Sequence, residues 1–208
     1  MKLKFESTVH IQRFALGVIC GLLPILCVLF GFISCTIGGN PWELLYSISA
    51  TYYTNHKIIM IGSLILCSFF LFSYQGYDLG DRIFTIAAGV GAFGVAAFPC
   101  RTTLSKTTEG LLSLPIGTCN ILHYISAVLV FGSFTLMTLT QFTKGKNKRR
   151  NALYVICGMI MAIALALVPA KILLHWADWI MMLLELIMLE AFAIAWIVKS
   201  KAITMVTQ

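Results

Sequence analysis

Long apolar stretches separated by short polar ones make up most of this chain. A helix that crosses the roughly 30 Å hydrocarbon core of a bilayer needs about 20 apolar residues, because lipid offers no partner to unpaired backbone groups. Six segments approach or meet this length and predict transmembrane helices at 11–34, 57–76, 82–99, 119–142, 151–173 and 177–198. We therefore expect an all-α, polytopic membrane protein, with residues 1–208 forming a single bundle of six transmembrane helices.

Composition agrees with this pattern. Hydrophobic residues make up 59% of the chain and charged residues 11%, which leaves too little polar surface to cover a water-soluble globule. The first apolar segment runs past the length of a signal peptide, and no small-residue cleavage site follows it. It is therefore expected to remain as a membrane anchor.

The distribution of lysine and arginine predicts an orientation, because cytoplasmic loops hold the excess of positive charge. If the N-terminus is inside, most of the 15 basic residues fall on the cytoplasmic side. These are Lys2, Lys4, Arg13, Arg82, Lys144, Lys146, Lys148, Arg149, Arg150, Lys199 and Lys201. The outer side then holds Lys57, Arg101, Lys106 and Lys171. Both termini are expected in the cytoplasm, in a multi-pass protein of the bacterial inner (plasma) membrane.

The net charge of +7 raises the question of nucleic acid. The one dense basic run, from Lys144 to Arg150, lies in a short turn between two helices, and no basic face interleaved with aromatic residues accompanies it. Topology and contact with anionic lipids explain the charge better. Membrane lipids are therefore the expected partners, nucleic acid is not, and a homo-oligomer is compatible with the sequence.

Seven cysteines are spread singly, with no CxxC pair. This pattern favours neither a zinc site nor a thioredoxin-like motif, and no metal or other cofactor is expected. Cys100 and Cys119 both map to the outer side, where an oxidising compartment would permit a disulfide. Whether they pair is left open, because the geometry cannot be read from the sequence.

Small residues recur at helix-packing spacing. Gly17 and Gly21 lie in the first segment, and Ala88, Ala92 and Ala96 lie in the third. Rows of this kind let helix backbones approach closely in membranes. We interpret them as packing positions of the bundle.

Ionisable side chains inside an apolar span are costly and point to functional sites. The last segment holds Glu185, with His175 and Asp178 at its outer end. Seven residues separate Asp178 from Glu185, so the two are nearly aligned on a helix and predict a polar stripe descending from the outer surface. In the fourth segment His123 and Ser126 share a face, and His123 is the expected partner of Glu185. An ordinary buried hydrogen bond between two helices explains the same residues.

The loop before the second segment is dense in hydroxyl groups and lies on the same outer side. It includes Ser47, Ser49, Tyr52, Tyr53 and His56. These side chains are candidates for binding a lipid headgroup, or for supplying a nucleophile beside His123. Interfacial tyrosines and helix-capping serines or threonines explain the loop equally well.

No motif of the common soluble enzymes is present. Three functions remain as hypotheses. The first is the binding of a lipid or small amphiphile in an outward-facing cavity formed by the loop and the fourth and sixth helices. The second is a membrane-embedded lipid hydrolase or transferase, with catalytic candidates His123, Glu185, Ser126 and Ser49, and Ser47 and Asp178 as alternative nucleophile and orienting acid. The third is a small transporter coupled to protons through Glu185.

Several short motifs, taken in order, resemble those of a family of small uncharacterised bacterial six-span membrane proteins. They are Ser-Ile-Ser-Ala-Thr-Tyr-Tyr-Thr at 47–54, Gly-Tyr-Asp at 76–78, His-Tyr-Ile-Ser-Ala at 123–127, Arg-Asn-Ala-Leu-Tyr-Val-Ile-Cys-Gly at 150–158, Glu185, and Ala-Trp-Ile-Val-Lys at 195–199. The resemblance covers most of the chain and implies a fold and a topology. It transfers no catalytic role.

A looser similarity links the chain to the ceramidase and adiponectin-receptor-like hydrolases, which use Ser, Asp and His with zinc. The chain departs from them in having six predicted spans instead of seven and in lacking His-xxx-His on its last helix.

Overall fold

The described residues form six α-helices. The computed structural model describes residues 2–37, 39, 46–74, 76 and 78–200, with side chains from residue 9 onward. The helices are α1 (Lys2–Thr36), α2 (Lys57–Ser73), α3 (Leu79–Ala97), α4 (Ile116–Thr140), α5 (Lys148–Leu173) and α6 (Trp179–Lys199). A two-residue antiparallel pair, β1 (Thr108–Glu109) and β2 (Leu114–Pro115), lies between α3 and α4. The all-α prediction is confirmed.

Within the part of the chain that the structure describes, five helical segments are long and apolar enough to cross a membrane. They are Val9–Thr36, Leu79–Ala97, Ile116–Lys144, Lys148–Leu173 and Trp179–Lys199. The sixth helix, α2, has 17 residues and is about 25 Å long at 1.5 Å per residue. That length is at the lower limit for a spanning helix. The structure thus supports a membrane-embedded helical protein with five clear spanning helices.

The helices are arranged as a ring. Each helix packs against its neighbours in the chain, and α6 closes the ring by packing against α1. Large apolar side chains cover the outside, among them Phe69, Val128 and Ile156, which are 67%, 60% and 59% exposed. A surface of this kind matches hydrocarbon and would be unstable in water.

The two ends of the ring differ in chemistry. One end gathers the α2–α3 and α4–α5 turns with the beginning of α1 and the end of α6, and we call it the basic end. There Arg13 donates to the Tyr74 hydroxyl at 2.7 Å, and Lys199 donates to the Phe142 carbonyl at 2.9 Å. The opposite end, the loop end, carries residues 46–56, 98–115 and 174–178. Of the predicted cytoplasmic charges, the side chains of Lys2, Lys4 and Lys201 lie outside the described residues.

Aromatic packing fills the interior near the basic end. Trp196 and Phe192 are fully buried. Phe192 stacks on Phe134 with ring centroids 3.5 Å apart, and Tyr74 meets Trp196 edge-on at 5.3 Å. Because these rings come from α2, α4 and α6, they join non-adjacent helices across the centre of the ring.

Polar caps define the helix starts at the basic end. The Asp78 side chain accepts a hydrogen bond from the Asp81 amide, and the Asn147 side chain accepts one from the Arg150 amide. Both are the N-cap residues that helices prefer. Lys144 donates to Asp78 at 2.5 Å, and this hydrogen bond lowers the pKa of the Asp78 carboxyl below its usual value.

Glycines allow close helix contacts. A Cβ on Gly17 would lie 2.7 Å from a side-chain carbon of Ile197 in α6, and one on Gly91 would lie 2.7 Å from the backbone oxygen of Ser126 in α4. Ala88, Ala92 and Ala96 of α3 are buried. The small residues of α1 and α3 therefore lie at helix contacts, as their spacing predicts.

We expect Gly91→Ala to destabilise the protein, because the new methyl would overlap the backbone of α4, which cannot rotate away as a side chain can. Overpacking of this kind costs about 1–3 kcal/mol. Gly62→Ala in α2 is the matched control, since nothing lies within 4 Å of its Cβ position. Thermal unfolding in detergent should show a lower Tm for Gly91→Ala and an unchanged or higher one for Gly62→Ala. Equal Tm values would contradict this account of the α3–α4 contact.

Candidate functional site

The Glu185 side chain lies inside the loop end and binds the loop before α2. Its Oε1 accepts hydrogen bonds from the hydroxyls of Ser47, at 3.1 Å, and Ser49, at 3.3 Å. Its Oε2 accepts one from the backbone N–H of Ile48 at 2.6 Å. Three consecutive residues thus surround a single carboxylate, which is the compensation that an acid inside a membrane helix requires.

Local chemistry shapes this loop, residues 46–56, which we call the roof loop. Ser49–Tyr53 form a short 3-10 helix. The Ser47 hydroxyl accepts from the Ser49 amide, and the Thr51 and Thr54 hydroxyls donate to carbonyls three residues earlier. Serine and threonine satisfy backbone groups in this way where no helix or sheet does so. The hydroxyl-rich sequence therefore folds into a compact segment that can be buried.

Tyrosines join the roof loop to the loop after α3. The Tyr53 hydroxyl donates to the Cys100 carbonyl at 2.9 Å and accepts from Ser105 at 2.9 Å. Tyr46 donates to the Arg101 carbonyl at 3.2 Å. Burial raises the pKa of Tyr53 to about 12, with a smaller opposing effect from Ser105. Burial, with a contribution from the nearby Glu185 carboxylate, also raises the pKa of the Cys100 thiol to about 12.

A small cavity lies beneath the roof loop at the centre of the ring. Its volume is about 50 Å³, enough for a few water molecules, each of which needs roughly 10–15 Å³ measured in this way. Its walls are apolar except for Glu185 and Ser49. The remaining lining residues are Leu23, Ile48, Met60, Leu64, Val95, Ala127, Val130, Phe131 and Leu189.

A larger apolar groove lies beside this cavity, between α2 and α3. Its volume is about 320 Å³, within the range of small-ligand sites. It is lined by Tyr52, Ile61, Ile65, Phe93, Ala96, Ala97, Gly110 and Leu111. Ser49 of the central cavity and Tyr52 of the groove lie one 3-10 turn apart, so the same short helix covers both spaces.

His123 does not pair with Glu185, and that prediction is wrong. The imidazole is buried, and its Nδ1 donates to the Phe98 carbonyl at 2.8 Å. Phe98 is the C-cap of α3, so His123 satisfies a carbonyl at the end of the adjacent helix. The histidine joins α3 to α4 and does not line the central cavity.

The predicted stripe from Asp178 to Glu185 is also not formed. Asp178 precedes α6, is 83% exposed, and pairs with Lys171 at 3.0 Å. His175 is exposed and adopts a positive φ of 51°. The Trp176 amide donates to the Lys171 carbonyl across it, which is the hydrogen bond of a Schellman C-cap. These two residues therefore end α5 and begin α6.

Ser126 and His56 lie at helix contacts. A Cβ on Gly94 would overlap the Ser126 hydroxyl, so Ser126 packs directly on α3. The His56 ring contacts the Ser34 hydroxyl through Nδ1 and lies 5.3 Å from the Phe30 ring. His56 thus joins the end of α1 to the start of α2.

Cysteine and acidic side chains do not gather into a larger site. Cys100 and Cys119 are free thiols, and Cys119 donates to the Glu109 carbonyl at 3.2 Å. Within the described ranges, no group of three histidine, cysteine, aspartate or glutamate side chains is placed to hold a metal ion.

Sequence reasoning missed Tyr46, the Cys100 carbonyl as the acceptor of the Tyr53 hydroxyl, and the α2–α3 groove. Tyr46 directly precedes the hydroxyl-rich loop, and its position was a usable signal. The groove residues are ordinary apolar side chains, and only the helix order reveals them.

Comparison with known proteins finds no matching family model, no similar curated protein and no similar solved structure. The assignment of a role therefore depends on the geometry of this chain alone.

We expect Glu185→Ala to loosen the roof loop, because it removes the acceptor of the Ile48 amide and of two serine hydroxyls. Leaving one buried donor without a partner costs about 1–3 kcal/mol. Hydrogen exchange followed by mass spectrometry should show faster exchange over residues 47–54, and Cys100 should become easier to alkylate.

Glu190→Ala is the matched control for that variant. Glu190 lies on the same helix, and its Oε1 has no hydrogen-bond partner among the described residues. Unchanged exchange of residues 47–54 in Glu185→Ala would show that the carboxylate does not hold the loop.

Proposed function

We propose that this chain is an integral membrane protein that binds a small amphiphile at its loop end, with Glu185 as the polar anchor. The observation that carries the proposal is a single carboxylate on the wall of an apolar cavity, held by a loop that also covers an apolar groove. Ligand-binding pockets are usually lined by apolar side chains with a small number of polar groups that orient the ligand.

The charge of Glu185 indicates the headgroup. A carboxylate only accepts hydrogen bonds and offers about four acceptor positions, of which Ser47, Ile48 and Ser49 take three. A primary amine or a hydroxyl supplies a donor for the fourth position, whereas a sulfate or phosphate would be repelled. The proposed ligand is therefore a single-chain amphiphile with an amine or hydroxyl head.

The alkyl chain fits the α2–α3 groove. The central cavity is too small for a chain, but the groove is about six times larger by volume and shares both helices with it. Met60 and Leu64 line the cavity, and their chain neighbours Ile61 and Ile65 line the groove. Movement of the roof loop would join the two spaces.

The proposal includes a topology. We take α2 as the sixth span, because it occupies a full place in the ring between α1 and α3. The basic end then faces the cytoplasm with both termini, by the positive-inside rule, and the Glu185 site opens outward. A bacterial plasma membrane and the six-span family suggested by the sequence motifs are part of this proposal.

A proton-coupled transporter is a second candidate. Glu185 is an ionisable residue within a membrane helix, and it contacts a cavity large enough for water, as in proton relays. Proton flux in proteoliposomes that Glu185→Gln abolishes would favour transport over binding alone. The hydrolase hypothesis has less support, since no described hydrogen bond connects His123 with Glu185, Ser47, Ser49 or Ser126.

We expect a photoreactive dodecylamine to label wild-type protein in nanodiscs at peptides from α2, α3 or the roof loop. Glu185→Gln removes the negative charge at constant shape and should reduce this labelling about tenfold, as loss of one charged contact does. Mass spectrometry of the labelled peptides measures the effect. Glu190→Gln is the control and should label as the wild type does.

A dodecyl sulfate analogue with the same photoreactive group tests the headgroup preference. It should label these peptides weakly in every variant. Equal labelling by the amine and the sulfate, or no loss in Glu185→Gln, would contradict the proposed site.

We expect Ile65→Trp to block amphiphile labelling, because its ring would fill the groove next to Phe93. Leu66→Trp is the matched control, since Leu66 faces outward and is 47% exposed. Both variants should elute as folded protein in size-exclusion chromatography. If Ile65→Trp binds dodecylamine as tightly as Leu66→Trp, the chain does not occupy this groove.

A further inference from the structure

A second cavity lies at the basic end, far from the Glu185 site. Its volume is about 430 Å³, and it is framed by α1, the α4–α5 turn, α5 and the last residue of α6. Its lining includes Arg13, Phe142, Lys146, Arg150, Tyr154 and Lys199. Nothing in the amphiphile proposal uses this space.

Positive charge dominates the walls of this cavity. Arg13, Lys146, Arg150 and Lys199 all line it, and among its described lining residues there is no aspartate or glutamate. A concave site with one sign of charge focuses the field and attracts an anion.

Contacts to neutral groups in the described part of the chain help to position two of the cations. Arg13 is only 2% exposed, donates through Nε to the Tyr74 hydroxyl and lies 5.5 Å from the centre of the Tyr74 ring. The Lys199 ammonium donates to the Phe142 carbonyl and lies 5.1 Å and 5.3 Å from the Phe142 and Tyr154 ring centres. These contacts position both charges at the cavity.

The start of α5 adds to this field. Gly145, Lys146 and Asn147 line the cavity and lead into a helix of 26 residues. Backbone N–H groups and the helix dipole at such a start favour anions. The helix start reinforces a site that the side chains already define.

We propose that this cavity binds a phosphate group, either as free phosphate or as the phosphomonoester headgroup of a lipid. Arginine and lysine match phosphate oxygens through charge-assisted hydrogen bonds. Phe142 and Tyr154 in the cavity wall offer apolar surface to the part of a ligand that adjoins its phosphate group. The cavity accepts anions, whereas the Glu185 site repels them, so the protein has two sites of opposite charge preference.

The test measures binding of two named probes by wild-type protein and by charge variants. Inorganic phosphate is titrated in detergent, with chloride at equal ionic strength as the reference. Phosphatidic acid is tested in phosphatidylcholine nanodiscs that contain or lack it. Thermal unfolding reports both, because a ligand that binds the native state raises Tm.

We expect Arg150→Gln to weaken binding of the effective probe about tenfold, as loss of one charge-assisted hydrogen bond does. Arg149→Gln is the matched control, because it removes the same charge from the adjacent, exposed position outside the cavity. Lys146→Gln, in the exposed turn, provides a second test if Arg150→Gln does not fold.

The outcomes are distinct. Stabilisation by inorganic phosphate identifies a soluble anion as a sufficient ligand, and stabilisation by phosphatidic acid alone identifies a lipid headgroup. Both support the site if Arg150→Gln or Lys146→Gln loses the effect and Arg149→Gln keeps it. No stabilisation by either probe, or equal loss in Arg149→Gln, overturns the proposal.

Discussion

The Glu185 carboxylate lies about 9 Å along α6 from its first residue, where hydrocarbon surrounds the bundle and an uncompensated charge costs several kcal/mol. The donors that compensate it come from Ser47, Ile48 and Ser49, more than 130 positions earlier in the chain. This requirement draws the roof loop into the mouth of the ring. The covering of the central cavity and of the α2–α3 groove follows, because both lie under the same 3-10 helix.

The two ends of the ring use polarity in opposite ways. At the loop end, hydroxyls and a backbone N–H surround the Glu185 carboxylate, and burial raises the pKa of the neighbouring Tyr53 and Cys100. At the basic end, arginine and lysine surround a cavity whose other walls are aromatic and amide groups. Under the two proposals, each end selects against the ligand of the other, and the protein contacts an amphiphile at one end and an anionic group at the opposite end.

The helix positions were predictable because a spanning helix needs only local apolar length. The start of α1 at Lys2 lies nine residues before the expected start at 11, and all other observed ends lie within three residues of the expected ones. Glu185 could be identified because an ionisable side chain in an apolar span is costly. Ser47 and Ser49 could be identified because the loop before α2 is rich in hydroxyl groups. The partner of Glu185 was not predictable. A helical wheel aligns Asp178 with Glu185. However, α6 begins only at Trp179, and Asp178 forms an ion pair with Lys171. The pairing of His123 with Glu185 was predicted from side chains alone. The actual partner is a backbone carbonyl, that of Phe98, which a side-chain pattern does not show.

The central claim is that Glu185 anchors an amphiphile whose chain lies between α2 and α3. An experimental structure of the protein with dodecylamine in a lipid nanodisc tests it most directly. The account predicts the amine nitrogen within about 3.2 Å of a Glu185 carboxylate oxygen, with the alkyl chain along Ile65 and Phe93. A structure in which dodecylamine occupies only the outer lipid surface, while the roof loop keeps all its bonds to Glu185, would contradict it.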